Sequence, residues 1–87
     1  MGKYVNEQIA QLAVDNGVLL GKTTPDRESK WSWWEVFRVA DGIIAVVMTD
    51  SGVSCGEKIE LTELPMYCDD PNKALKTYLN ADINFAT

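Results

Sequence analysis

The stretch that decides the fold is Trp33-Trp34-Glu35-Val36-Phe37-Arg38-Val39-Ala40-Asp41-Gly42-Ile43-Ile44-Ala45-Val46-Val47-Met48. Asp-Gly between two apolar runs is the strongest short-range hairpin signal, because a type I′ turn needs positive φ at both central residues. A two-residue loop at Asp41-Gly42 opposes Ala40 to Ile43 and fixes the register behind them. Trp33, Glu35, Phe37 and Val39 then share a face with Ile44, Val46 and Met48, whereas Trp34, Val36, Arg38 and Ala40 share the other with Ile43, Ala45 and Val47. The first set is the more aromatic and is expected to lie under the helices. The second leaves Trp34, Val36, Ile43 and Val47 as an apolar patch beside Arg38. Exposed apolar surface carrying Trp and Arg is a hallmark of a binding site. The competing expectation is that a loop, the segment 18–22 or the C-terminal tail covers this patch.

Toward the N-terminus, Val5, Ile9, Leu12 and Ala13 fall on one face of a helix. Asn6 is placed to cap its start and Gly17 to stop it. Val18 to Lys22 reads either as a short strand or as a crossing of the core, and Thr23 to Ser29 as a polar loop turning at Pro25-Asp26. Beyond the hairpin, Asp50-Ser51-Gly52 is a second turn and Glu57 to Thr62 alternates as a third strand. Asp70 then caps a helix with Pro71 at its first position and Leu75, Tyr78 and Leu79 on its apolar face. Residues 83–87 read as a flexible tail, or as one that docks through Ile83 and Phe85.

The expected fold is therefore a small two-layer α+β domain. A three-stranded antiparallel meander is flanked by an N-terminal and a C-terminal helix, and residues 1–87 form one domain. This α-β-β-β-α order is similar to that of the double-stranded-RNA-binding domain, and Lys73 and Lys76 resemble the basic start of that family's second helix. The resemblance is one of element order alone. Asp69-Asp70 immediately precede those lysines and would oppose phosphate contact.

Charge narrows the function classes. Of 87 residues, 13 are acidic and 8 basic, for a net charge of −5, with no histidine. Residues 1–40 hold five cations and five anions, so the excess lies in residues 41–87, which hold three cations against eight anions. Such a field repels nucleic acid and anionic membranes and attracts basic surfaces. No apolar run approaches the ~20 residues of a membrane-spanning helix, and the start of the chain lacks the order of a signal peptide. A cytoplasmic protein is expected, with Cys55 and Cys68 as reduced thiols.

Catalytic motifs are missing. There is no phosphate-cradling glycine loop, no nucleophile elbow and no histidine to serve as base or zinc ligand. Asp50-Ser51-Gly52 does not extend into a calcium loop. Glu35, the one charge on the expected core face, reads as a carboxylate reaching an edge or pairing with a lysine rather than as a functional acid. The expectation is a non-enzymatic protein-binding module that needs no metal or cofactor. Trp34, Val36, Arg38 and Val47 would anchor its partner, and Glu57, Glu60, Glu63, Asp69 and Asp70 would steer toward a basic surface. A phage-encoded inhibitor occupying the basic nucleic-acid site of a host protein is the concrete version of this expectation. Two alternatives stand beside it: nucleic-acid binding by the cluster Trp31 to Trp34 with Lys22, Arg27, Lys30 and Arg38, and a symmetric homodimer through the same sheet face.

Overall fold

A computed structural model describes residues 3–23 and 32–85. The polar loop through Pro25-Asp26, with Arg27, Lys30 and Trp31, lies outside the described residues, as do the last two residues. The elements in chain order are β1 (Lys3–Val5), α1 (Glu7–Asn16), β2 (Val18–Thr23), β3 (Ser32–Val39), β4 (Gly42–Thr49), β5 (Gly52–Ile59), a 3-10 helix (Leu61–Met66), α2 (Pro71–Leu79) and β6 (Ile83–Phe85). The six strands form one sheet in the order β1-β5-β4-β3-β2-β6, antiparallel at every pairing. The expected three-stranded, two-layer meander is thus corrected to a six-stranded sheet with helices on both faces.

The reason lies in the connections. Strands β2 to β5 run as a meander, so β1 is parallel to β2 and β5 is parallel to β6. α1 carries the chain from β1 across the sheet to β2, and α2 carries it from β5 across to β6. Both crossovers travel the same way along the sheet between strands of opposite direction. Crossovers of one hand must then lie on opposite faces, as the handedness rule for parallel strand pairs requires. Two clusters of buried side chains result. Val5, Ala10, Ala13, Phe37, Ile44 and Val46 lie beneath α1, and Val36, Ile43, Ala45, Ile59, Leu64, Ala74, Leu75 and Ile83 lie beneath α2 and the 3-10 helix.

Strand β4 records this directly, since Gly42 to Val46 are buried without a break. A strand covered on both faces reads as a continuous apolar run rather than an alternation. The hairpin turns one residue earlier than expected. Val39 pairs with Gly42, leaving Ala40-Asp41 as the loop, and no residue of this turn has positive φ. Gly42 instead opens the return strand where the Ile59 carbonyl would lie 3.1 Å from a Cβ. Partners shift, but the shift preserves parity, so the two faces keep their expected members.

The second turn is Asp50-Ser51, and β5 starts at Gly52 rather than Glu57. The Thr49 hydroxyl accepts from Ser51 N–H and donates to the Gly52 carbonyl, and Gly52 takes φ 116°. Only glycine adopts that angle without strain. The expected tail is also corrected: Ile83–Phe85 is β6, with Ile83 buried against β2.

Both helix starts follow their capping residues. The Asn6 side chain accepts from Ile9 N–H at 3.0 Å, and Asp70 accepts from Asn72 N–H at 3.0 Å. Of the expected apolar face of α1, Ala13 is buried as expected, Val5 is buried but in β1, and the rest differs. Ala10 and Ala13 face the sheet, while Ile9 and Leu12 are exposed. Small residues bring this helix close to the sheet, as at Gly17, where a Cβ would meet the Phe37 Cβ at 3.2 Å.

Candidate functional site

On the α2 face, cross-strand pairing sets side chains in rows. One row runs Phe85, Gly21, Val36, Ala45, Glu57, Tyr4 across all six strands, and another runs Val18, Arg38, Ile43, Ile59. The middle of both rows lies under α2 and the 3-10 helix. This takes the middle of the expected anchor patch out of solvent. Val36 is 0% exposed and Ile43 is buried. Trp34 is half-buried and packs against the same cluster, and Val47 opposite it is half-buried. Arg38 is exposed, next to the exposed Val18, at the turn end of the sheet beyond the cover of α2. The cover comes from α2 and the 3-10 helix, whereas Ile83–Phe85, expected as a possible covering tail, lies in the sheet as its edge strand and only Ile83 joins the cluster.

The acidic residues stay grouped around β5, the 3-10 helix and α2. Glu57, Glu60 and Glu63 are half-buried, and Asp69 and Asp70 are exposed. From Glu57 to Asp70 there are five carboxylates and one cation, Lys58. Lys58 pairs across the sheet with Ile44 of the opposite face and gives its ammonium to Asp41 at 2.6 Å. That contact holds the Asp41 carboxyl below its usual range and raises the Lys58 ammonium above its own. Lys58 thus commits its direct contact to Asp41 and reaches the acidic surface only through a weaker Coulombic attraction to Glu60. Asp70 spends its carboxylate on the helix cap.

Apolar side chains that sequence periodicity did not single out stand among these carboxylates. The 3-10 helix follows Glu60 and contains Pro65, whose missing N–H and fixed φ discourage an α-helix there. With three residues per turn, Leu61, Leu64 and Tyr67 lie along one side. Leu64 plugs the core, its neighbours emerge part-exposed, and Met66 points outward at 84% exposure. The Tyr67 ring meets the Tyr78 ring edge-on at 5.3 Å and 78°. The Tyr78 hydroxyl donates to a Glu57 carboxylate oxygen at 3.1 Å. Glu57 stands opposite Tyr4 of β1, which is 75% exposed. A connected series thus runs from Met66 through Tyr67, Tyr78 and Glu57 to Tyr4 at the sheet edge. The signal available in sequence was Leu61 and Pro65-Met66-Tyr67, apolar residues set between acids where neither helix nor strand period holds.

Glu35 is half-buried on the α1 face and accepts from the Trp33 indole N–H at 2.7 Å, so this carboxylate is engaged by a neighbour. With Trp33 tied to Glu35 and Trp34 packed on the core, those two rings do not form an open stacking platform. Cys55 and Cys68 are free thiols, both half-buried. Among the described residues, no group of three or more acidic or cysteine side chains is arranged to hold a metal ion. No helix is long and apolar enough to cross a membrane among those residues. No protein-family model matches the chain, no curated protein matches its sequence, and no solved structure matches its fold.

Proposed function

We propose that this chain is a small protein-binding module whose docking surface is the ridge formed by the 3-10 helix and its flanks. Leu61, Met66 and Tyr67 supply the apolar contact, Tyr4 extends it to the sheet edge, and Glu57, Glu60, Glu63 and Asp69 rim it. The observation that carries the proposal is Met66 at 84% exposure beside a partly exposed tyrosine, amid carboxylates. Apolar area of this kind costs about 25 cal/mol per Å2 to keep in water, so its burial by a partner is favourable. Tyrosines at the centre of a patch are typical of residues that dominate binding energy. The carboxylates add selection and rate rather than bulk affinity, by favouring a basic partner during encounter. A basic nucleic-acid-binding surface of another protein fits this chemistry, and occupying it would make the module an inhibitor.

The test is affinity capture from the native host with four forms of the protein: wild type, Met66→Asp with Tyr67→Ala, Glu60→Lys, and Leu12→Ala on the opposite layer. A specific partner should be retained by wild type and Leu12→Ala, lost by the ridge double variant, and weakened by Glu60→Lys. Raising the salt should weaken capture by wild type too, because exposed charges are screened beyond about 8–10 Å. Recovery of the same proteins in equal yield by all four forms would overturn the proposal. Circular dichroism of each form confirms that the fold is intact.

A further inference from the structure

Strand β1 is the outermost strand beside this ridge, and among the described residues it pairs with β5 alone. Its other side carries main-chain N–H and C=O groups with no partner strand among the described residues. Protected sheet edges usually carry proline, a bulge or several charges. β1 has neither proline nor a register shift, and its guards are its three-residue length and Lys3.

We propose, building on the docking surface above, that β1 accepts an extended segment of the partner as a seventh strand, with lysine or arginine at alternate positions. Side chains of an added strand alternate between the two faces. One set would lie beside Tyr4, with the Glu57 carboxylate one strand further in, where an exposed tyrosine ring and a nearby carboxylate both favour a cation. The other set would lie beside Lys3 and Val5, opposite Lys58 and Gly56. A cation there would meet Lys3, so apolar or acidic residues are selected. The two faces of one short strand thus specify an alternating sequence, and main-chain bonds supply the affinity common to strand addition.

The other sheet edge lacks these features. At β6 the exposed-ring position is already taken, because Lys76 of the chain itself stands 6.0 Å over the Phe85 ring. A second copy of this chain is a poorer occupant of β1, since each copy brings a net charge of −5. Strand β1 with a basic extended segment is the complementary pair.

The probe is a short fluorescent peptide of alternating lysine and valine, titrated against the whole chain by anisotropy. Two derivatives carry N-methyl groups on either the lysine or the valine nitrogens. In an extended strand the N–H groups of alternate residues point to the same side, so only one derivative loses its bonds to β1. One methylated peptide should bind about tenfold or more weakly and the other within about twofold of the parent. Replacing lysine by glutamate in the peptide, or Tyr4→Ala in the protein, should also weaken binding about tenfold. Equal binding by both methylated peptides, indifference to lysine, or no saturable binding of the parent would each overturn strand addition. The ridge proposal stands or falls separately, on whether Met66→Asp with Tyr67→Ala loses the captured partner.

Discussion

The orientation of α1 can be tested by a series in which hydrophobicity and cost run in opposite order. Periodicity places Leu12 in the core, whereas in the structure it is 60% exposed and Ala13 faces the sheet at 3%. About two fifths of the Leu12 side chain is covered, so Leu12→Ala puts at stake only ~1 kcal/mol of transfer free energy. Alanine's higher helix propensity returns a few tenths of that, roughly. Ala13→Leu adds three heavy atoms against Phe37 and Ile44 in a space with no room for them, and should cost about 1–3 kcal/mol. Leu75→Ala is the calibration: this side chain is 1% exposed in the α2 cluster and should cost about 2–5 kcal/mol. A chain of this length is expected to have a total stability of roughly 4–13 kcal/mol, so all three effects are measurable. Urea unfolding followed by tryptophan fluorescence reads them, with the slope checked for two-state behaviour. The expected order of loss is Leu75→Ala, then Ala13→Leu, then Leu12→Ala. A loss of about 2–5 kcal/mol in Leu12→Ala, with Ala13→Leu tolerated, would mean that the helix presents its other face and would refute the packing described above.

Three further outcomes follow from named contacts. Asp70→Ala removes the cap of α2 and should cost about 0.5–2 kcal/mol by urea unfolding, with Asp70→Asn recovering most of it. Gly52→Ala forces a side chain into φ 116° and should destabilise the β4–β5 turn by about 1–2 kcal/mol, even though nothing crowds that position. The Asp41–Lys58 contact should give a difference between wild type and Asp41→Asn that is flat at neutral pH. The depressed Asp41 carboxyl contributes above its unfolded value of 3.8 and loses that contribution as pH falls through the folded value. The raised Lys58 ammonium contributes below 10.5 and loses its contribution as pH rises through the folded value. Thermal unfolding across the pH range checks this, and a difference that grows toward acid would contradict it.

Local chemistry determined much of this protein in the sequence itself. Asn6 and Asp70 mark both helix starts because a side-chain oxygen there satisfies a helix N–H wherever the helix packs. The parity of β3 and β4 was legible because alternation needs only the two strands, and it survived an error in the turn. The acidic character of residues 57–70 is likewise a property of composition. What tertiary structure alone decided is which faces are covered. The run Ile43 to Met48 is apolar enough for a buried strand, but its two-sided cover comes from the helices on either face, while β1 and β6 extend the sheet at its edges. Each of those edge strands has three residues, too few for a periodic signal, and each exists only because a distant strand offers hydrogen bonds. For the same reason the proposed docking surface differs from the expected one. Val36 was removed from solvent by α2, and Met66 and Tyr67 were left exposed because Leu64, between them and Leu61, took the place in the core.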